Sequence, residues 1–361
     1  MVTLLVRPVL LVRLHTMRPR VVHSLRDSLY IPIQLFLITL HRDTILAVGR
    51  LSTGVAQAGV EHLTVNMKYI VAQEKNNYGA WQCTVAVSSL IELGVPQEDI
   101  FVLLGDYGYN RDWNDFKTRF GKVNIYETRN HSIQRYKPAI KPYLLWHFFK
   151  TFEYLEKEQW MLIDNDVIIT QLLSKKKKGT IHVSDCSSYL NLDYLERKGV
   201  GLAEEMAKCV SVQYSKVLEM DKGAGGAQYV FDNVNWKTWR KAYLNSIKLF
   251  DFLNGNKNNF KRKDSENCVQ VWCAEMWGVL WSLWDDGHVT KISGDMMFLF
   301  ATDAAELGDQ YKIIHNAGVT SEDSELFNKG DFLKRSPKNH EQYVDDSKVS
   351  YLYYNYLKKV L

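Results

Sequence analysis

Short apolar runs alternate with longer amphipathic segments along most of the chain. Apolar runs of roughly four to eight residues predict buried strands, and amphipathic segments of roughly ten or more predict helices. Strands alternating with helices build βαβ units around a mainly parallel sheet with helices on both faces. The first strands are predicted at residues 68–73, 99–104, 122–127 and 159–163, with helices at 80–93 and 138–155.

The second half of the chain has a less regular pattern. Residues 223–230 run from a glycine cluster into a predicted strand. Helices are predicted at 236–253 and 268–284, with a polar linker at 254–267 between them, and a late strand is predicted at 311–315. The pattern therefore predicts an α/β fold with a mixed C-terminal half.

The first 66 residues differ in composition from the rest of the chain, with seven Arg and no Lys or Trp. The apolar run at 30–40 is shorter than the roughly 20 residues that span a bilayer, so we expect no stable transmembrane segment. An Arg-rich, acid-poor start is also found in transit peptides and weak anchors. We interpret residues 1–66 as an accessory extension, and predict a globular unit at 67–337 with a tail or helix at 338–361.

Composition limits the class of protein. Hydrophobic residues make up 46% of the chain and charged residues 24%, which is typical of globular proteins. The formal net charge of +4 indicates no particular partner. The five cysteines form no C-x-x-C pair and are odd in number, which disfavours a disulfide framework or a zinc site. They favour a reducing, cytoplasmic compartment.

Two carboxylates interrupt the very apolar stretch at 160–170. Asp164 and Asp166 follow the fourth predicted strand, and ligands of open α/β sheets bind beyond the carboxyl ends of the strands. Residues two apart in an extended segment point the same way, so both carboxylates can face one cation such as Mg²⁺ or Mn²⁺. A turn capped by local hydrogen bonds is the alternative. Two charges between buried strands would be costly without a cation.

Two further residues are candidates for chemistry. His315 ends the late strand, and imidazole binds metals such as Mn²⁺ that also accept carboxylates; a histidine among apolar residues is otherwise typical of a core. Glu275 is the only charged residue within 268–284, so it has either a raised pKa or a partner. A catalytic base, an anchor for an acceptor hydroxyl and a buried structural hydrogen bond are all open for it.

Basic residues surround the start of the helix predicted at 138–155. A helix N-terminus with basic side chains beside it suits phosphate, and a solvated basic face is the alternative. Gly225 and Gly226 fit no phosphate-loop pattern and favour close approach of a substrate to the backbone. The basic candidates are Arg135, Lys137 and Lys141, with Lys329 further along the chain.

Taken in order, these motifs resemble a glycosyltransferase of the GT-A fold, with its Rossmann-like sheet, over roughly residues 67–337. The marks are the early βα units, the D-x-D, the segment at 225–230, the helix around 273–277 and the late histidine before a glycine. More distantly, the chain is similar to the hydroxyproline arabinosyltransferase and peptidyl-serine galactosyltransferase group. That likeness lies in Tyr136-Lys137-Pro138, the glycine segment and Ile313-Ile314-His315.

The resemblance implies a nucleotide-sugar donor whose diphosphate binds Mn²⁺ or Mg²⁺. We expect this donor to be UDP-linked. Residues 67–170 would form the nucleotide-sugar half and 171–337 the acceptor half. The expected metal ligands are Asp164, Asp166 and His315. The residues expected to contact the donor are Asn76, Asn77, Tyr78, Arg135, Lys137, Lys141, Asp164 and Lys329. The catalytic residues would be Glu275 and Asp164, and the substrate-binding residues Gly225, Gly226, Gln228, Glu275 and Trp277.

Two other classes of protein are alternatives to a glycosyltransferase. A metal-dependent nucleotidyltransferase would be expected to carry a glycine- and basic-rich loop after the first strand, where residues 73–79 read QEKNNYG. A non-catalytic carbohydrate- or nucleic-acid-binding protein would not need Asp164, Asp166 and His315 to converge. The acceptor stays open between a protein hydroxyl, a glycan and a modified nucleobase, and the net charge does not indicate DNA.

Overall fold

The structure of the chain is a computed structural model that describes residues 34–40, 44–50, 67–106, 108, 110–129 and 135–361. The chain divides into two compact units, Met1–Val65 and Asn66–Leu361. In the first, strand β1 (Gln34–Leu40) pairs antiparallel with β2 (Thr44–Arg50). The remainder of the predicted 1–66 extension lies outside the described residues.

The second unit contains the sheet predicted from the alternation of patterns. Its strands are β3 (Lys68–Glu74), β4 (Ile100–Asp106), β5 (Asn124–Arg129), β6 (Trp160–Leu162), β7 (Val167–Ile169), β8 (Ile181–Asp185), β9 (Gly225–Phe231), β10 (Thr290–Ile292), β11 (Phe298–Phe300) and β12 (Ile313–His315). Seven of them form one sheet in the order β10-β8-β9-β6-β3-β4-β5, in which β9 alone runs antiparallel to its neighbours. A smaller sheet has the order β11-β12-β7. The prediction of an α/β fold with a mainly parallel sheet flanked by helices is confirmed.

Ten α-helices are found in the described part of the second unit. They are α1 (Asn77–Glu92), α2 (Arg111–Arg119), α3 (Ile140–Thr151), α4 (Ser187–Leu190), α5 (Leu192–Lys198), α6 (Leu202–Val210), α7 (Tyr214–Met220), α8 (Trp236–Phe260), α9 (Ala274–Asp285) and α10 (Val349–Val360). The polar linker predicted from residue 254 is wrong in its first part, because α8 continues to Phe260. Leu249 and Leu253 are buried on that helix, and extending a formed helix costs little.

Two apolar clusters hold these layers together. The larger one fills the space between the main sheet and its helices, and the smaller one lies between α1, the small sheet and α10. Trp81 and Val85 of α1 reach the smaller cluster, where they meet Tyr353 of α10. The C-terminal helix is thus part of the core that supports the small sheet. None of the helices in the described part of the chain has the length and apolar character needed to cross a membrane.

Helix α9 is fixed by an unusually close approach to α8. A Cβ atom added at Gly278 would lie 2.5 Å from Oγ and 2.7 Å from Cα of Ser246, so only glycine fits. The Ser246 hydroxyl donates to the carbonyl of Ala242 and lies 3.5 Å from that of Glu275. This contact holds the first turn of α9, and with it Glu275, in place.

Candidate metal and donor site

Asp164 and Asp166 lie in the turn between β6 and β7, at the carboxyl end of a strand in the centre of the main sheet. The residue between them anchors this turn. Asn165 donates from Nδ2 to Oε1 of Gln82 on α1, at 2.5 Å, and to Oε1 of Gln73 on β3. Because the middle residue is held from two elements, the two carboxylates have a defined direction.

His315 reaches the aspartates through the pairing of β12 with β7. The antiparallel register matches His315 to Val167, and the amide of Asn316 donates to the carbonyl of Asp166 at 3.0 Å. The Nε2 atom of His315 lies 3.1 Å from Oδ1 of Asp166 and 3.7 Å from Oδ2 of Asp164. Strand pairing therefore joins residues that are 149 positions apart.

The geometry of this trio fits a single cation. One ligand atom from each of Asp164, Asp166 and His315 lies within 4.8 Å of the others. Two atoms that bind the same ion at about 2.0–2.6 Å can be no more than about 5 Å apart. Two carboxylates and one imidazole form the mixed oxygen and nitrogen set that Mn²⁺ accepts. The Nδ1 atom of His315 is buried and has no partner among the described residues.

Asp166 is almost fully buried, with 7% of its surface exposed. Burial alone would raise the pKa of this carboxyl, but the charges of Lys329 and His315 outweigh it and hold the pKa well below its usual range. The ammonium of Lys329 contacts Oδ2 of Asp166 directly. Burial favours the neutral form of Lys329, and the charge of Asp166 outweighs it and raises the pKa of this amine.

Glu275 forms a second acidic position on the same site. Lys141 of α3 lies with its Nζ atom 2.9 Å from Oδ1 of Asp164 and 3.5 Å from Oε2 of Glu275, so one ammonium links the two acids. Glu275 is 5% exposed. Burial raises the pKa of Glu275, the charge of Lys141 opposes this, and the charge of Asp164 adds to it.

Two tyrosines frame Glu275. The backbone N–H of Glu275 donates to the hydroxyl of Tyr136 at 2.8 Å, and that hydroxyl donates to the carbonyl of Trp272. The hydroxyl of Tyr229 is buried with no partner among the described residues, and burial and the charge of Glu275 raise its pKa. A polar group in that position can receive a hydrogen bond from a bound molecule or donate one to it.

The other predicted basic residues have different partners. Lys137 lies 2.5 Å from Glu74 at the end of β3. Arg135 pairs at 2.8 Å with Asp251 of α8, and its side chain is 68% exposed. Of the basic residues predicted at the start of α3, Lys141 is thus the one that contacts the aspartates.

The loop after β3 is ordered by its asparagines. The side chain of Asn76 caps α1 by accepting from the amide of Gly79 at 2.8 Å, and Asn77 donates to the carbonyl of Lys334 at 3.2 Å. Burial raises the pKa of Tyr78, with Lys329 lowering it and Asp166 raising it. Of the three donor-binding residues predicted in this loop, Tyr78 is the one whose pKa depends on Asp166 and Lys329.

The predicted substrate-binding residues have mainly packing contacts. A Cβ atom at Gly225 would lie 2.4 Å from the backbone oxygen of Ser184, and the Ser184 hydroxyl donates to Gln228 at 2.7 Å. Trp277 is fully buried and donates to the carbonyl of Leu190 at 2.9 Å. A Cβ atom at Gly226 would lie 3.0 Å from the Tyr229 hydroxyl, so this glycine borders the Glu275 region.

Sequence reasoning missed four polar residues of the site. They are Gln73, Gln82, Tyr189 and Tyr229. The two glutamines anchor the D-x-D turn, and burial, with a smaller contribution from the charge of Asp164, raises the pKa of Tyr189. Gln73 ends the apolar strand KYIVAQ, and a polar residue in that position is a sequence pattern from which a site residue could have been predicted. No local pattern distinguishes the two tyrosines from the other tyrosines of the chain, which has 20 in all.

No protein-family model matches this chain, and no curated protein matches it. Solved structures similar to it include the WbbM bifunctional glycosyltransferase in its apo form, at 12% identity over 88% of this chain and 53% of that one, with a TM-score of 0.45. Apo-form GlyE of Streptococcus pneumoniae TIGR4 matches at 10% identity over 81% of this chain and 60% of that one, with a TM-score of 0.38. Mouse xyloside xylosyltransferase 1 matches at 10% identity over 69% of this chain and 97% of that one, with a TM-score of 0.33.

The chain thus spans only 53% and 60% of the length of the first two of these structures. All three TM-scores, from 0.33 to 0.45, are too low for the likeness to identify a shared activity. The side chains of the site are therefore the basis for a proposed function.

Proposed function

We propose that this chain is a metal-dependent glycosyltransferase, which moves a sugar from a nucleotide-sugar donor to a hydroxyl group of an acceptor. The observation that carries the proposal is the convergence of Asp164, Asp166 and His315 at the carboxyl edge of the main sheet. Buried Glu275 is joined to Asp164 through Lys141. A metal position with an adjacent candidate base suits transfer of a sugar from a charged leaving group.

The donor would lie between the cation and the loop after β3. Asp164, Asp166 and His315 would hold Mn²⁺, with Mg²⁺ as the second choice, and the cation would stabilise negative charge on the departing diphosphate. Lys329 and Lys141 add positive charge at the same place. We propose that the nucleotide contacts Asn76, Asn77 and Tyr78. The resemblance to GT-A glycosyltransferases favours UDP as this nucleotide.

In the transfer, the bond from the anomeric carbon to the diphosphate oxygen breaks and its electron pair leaves with the diphosphate. A bond forms from the same carbon to the acceptor oxygen, through an oxocarbenium-like state. We propose that Glu275 takes the acceptor proton, because a carboxylate with a raised pKa is a stronger base near neutral pH. In a retaining enzyme the departing phosphate would take that proton, and Glu275 would orient the acceptor hydroxyl.

The sugar and the cellular location are further predictions. Hexose and pentose transfer both agree with the proposed chemistry. The distant likeness to the hydroxyproline arabinosyltransferase and peptidyl-serine galactosyltransferase group favours neither, because that group includes both kinds of transfer. All five cysteines are unpaired, which supports the predicted reducing, cytoplasmic location.

Donor turnover tests the proposal without knowledge of the acceptor, because water can replace it. The purified full chain is given a panel of UDP-, GDP- and other nucleotide-sugars with Mn²⁺, and release of the nucleoside diphosphate is measured with and without EDTA. Asp166→Asn is expected to lower turnover of the best donor by roughly 10³-fold, since metal stabilisation is worth several kcal/mol.

Asp251→Asn is the matched control, because it makes the same chemical change at an aspartate that pairs with exposed Arg135. It is expected to keep wild-type turnover. Equal turnover in both variants, or turnover that EDTA leaves intact, would contradict a metal-dependent transferase.

A further inference from the structure

A cavity of about 300 Å³ lies beside the candidate metal site. One wall is the end of β8 and the start of α4, with Asp185 and Ser188. The opposite wall is β11 and the segments after it, with Phe298, Asp303 and Tyr311. Pockets that hold small molecules enclose roughly 300–1,000 Å³, so this cavity has room for a small ligand.

The wall that contains Phe298 adjoins the candidate metal site. The ring of Phe298 packs against the ring of His315, with centroids 5.0 Å apart. Cys186 and Tyr189, on the same short segment as Ser188, lie outside the lining; burial raises the pKa of both, and the charge of Asp164 is a smaller cause. A molecule in the cavity would therefore be separated from His315, one of the residues proposed to hold the cation, by the ring of Phe298.

The carboxylates of the cavity are held in place by the protein. One oxygen of Asp185, Oδ1, accepts from the amide of Ser187 at 2.9 Å and from its hydroxyl at 2.7 Å. One oxygen of Asp303, Oδ2, accepts from the amide of Phe300 at 2.8 Å. The other oxygen of each has no partner within the described ranges, so each carboxylate offers an oriented acceptor for a hydroxyl group.

This lining suits a neutral sugar. The partly exposed aromatic rings of Phe300 and Tyr311 have faces with negative charge density, which attract the polarised C–H groups on one face of a sugar ring. The hydroxyl groups at the edge of the same ring can donate to the carboxylates. Two carboxylates disfavour a phosphorylated or acidic ligand, and the volume excludes a folded domain or a duplex.

We propose that this cavity is the acceptor subsite, and that its occupant is a neutral saccharide whose hydroxyl receives the transferred sugar. The inference rests on the proposed transferase function and specifies its acceptor class. A serine- or hydroxyproline-containing peptide is the competing occupant, and the test separates the two.

The test blocks the cavity and measures binding and donor turnover separately. Ser188→Trp places a large ring at the cavity wall, on an exposed residue where it does not disturb the core. Ser321→Trp makes the same change at an exposed position outside the lining. Binding of methyl glucoside, methyl galactoside and methyl xyloside to the full chain is followed by saturation-transfer NMR, in the presence of diamagnetic Mg²⁺ and UDP.

Wild type and Ser321→Trp are expected to bind at least one of these glycosides, and Ser188→Trp to bind it at least tenfold more weakly. Asp185→Asn, which keeps the size of the side chain, is expected to weaken binding roughly tenfold through the lost charged acceptor. Donor hydrolysis with Mn²⁺ should be unchanged in Ser321→Trp.

Glycoside binding that survives Ser188→Trp would overturn the proposal, and so would binding of a serine or hydroxyproline peptide with no binding of any glycoside. Absence of donor turnover in wild type would instead count against the transferase function. In that case glycoside binding that Ser188→Trp abolishes would still identify a saccharide site, although not an acceptor subsite.

Discussion

Asp166 and Glu275 are two acids of nearly equal burial, 7% and 5% exposed, whose pKa values are shifted in opposite directions. Asp166 faces Lys329 and His315, and their charges hold its pKa low. Glu275 faces Lys141, which lies 3.5 Å away and is closer to Asp164. Burial therefore prevails at Glu275 and raises its pKa.

Charge partners therefore account for the opposite pKa shifts of two nearly equally buried acids. A carboxylate that stays ionised is suited to hold a cation, and one with a raised pKa is suited to move a proton. The polar groups around them differ as well, because the Tyr229 hydroxyl beside Glu275 has no partner in the part of the chain that the structure describes. Three variants test the contrast, in addition to those proposed above.

The largest effect is expected from Glu275→Gln. Losing a general base typically costs roughly 10²–10⁴ in rate, so donor hydrolysis should fall by that factor. Binding of Mn²⁺, measured by calorimetry, should stay within a factor of two of wild type, whereas Asp166→Asn should abolish it. Wild-type turnover in Glu275→Gln would show that Glu275 is not the base.

A shift of the pH profile is expected from Lys141→Met. If Glu275 is the base, turnover rises with pH as it ionises, and the charge of Lys141 lowers its pKa against the effect of burial. Removing that charge raises the pKa further, so the acidic limb of the profile should move to higher pH. Lys137→Met, on the lysine that pairs with Glu74, is the control and should leave the limb in place. A limb that stays fixed or moves to lower pH in Lys141→Met would contradict the link.

The smallest effect is a gain in stability from Tyr229→Phe. A buried hydroxyl without a partner costs about 1–3 kcal/mol, so its removal should raise the free energy of unfolding by about 1 kcal/mol in a urea titration. Tyr136→Phe is the matched comparison and should lower it by about 1 kcal/mol, because that hydroxyl hydrogen-bonds the backbone of Glu275 and Trp272. Equal changes in both variants would show that the Tyr229 hydroxyl is satisfied in solution.

The early strands and helices were predictable because their patterns are local. The strand expected at 68–73 is found at Lys68–Glu74, and the helix expected at 80–93 at Asn77–Glu92. The sequence pattern predicts no helices or strands at residues 181–220, because β8 and the four helices after it are too short to show a clear hydrophobic periodicity. Their stability comes from tertiary packing, which a sequence window does not contain.

The sequence by itself determined the α/β order, the place of Asp164 and Asp166 after the fourth strand of that order, and an isolated acid at Glu275. Those properties follow from neighbouring residues, since apolar period and chain order specify which strand an acid follows. Only the tertiary structure decided which charges meet. The pairing of β7 with β12 joins His315 to Asp166, and the packing of α3 joins Lys141 to Asp164 and Glu275. Electrostatic partners are determined by distance in space, and at this site they are 23 to 163 residues apart in the sequence.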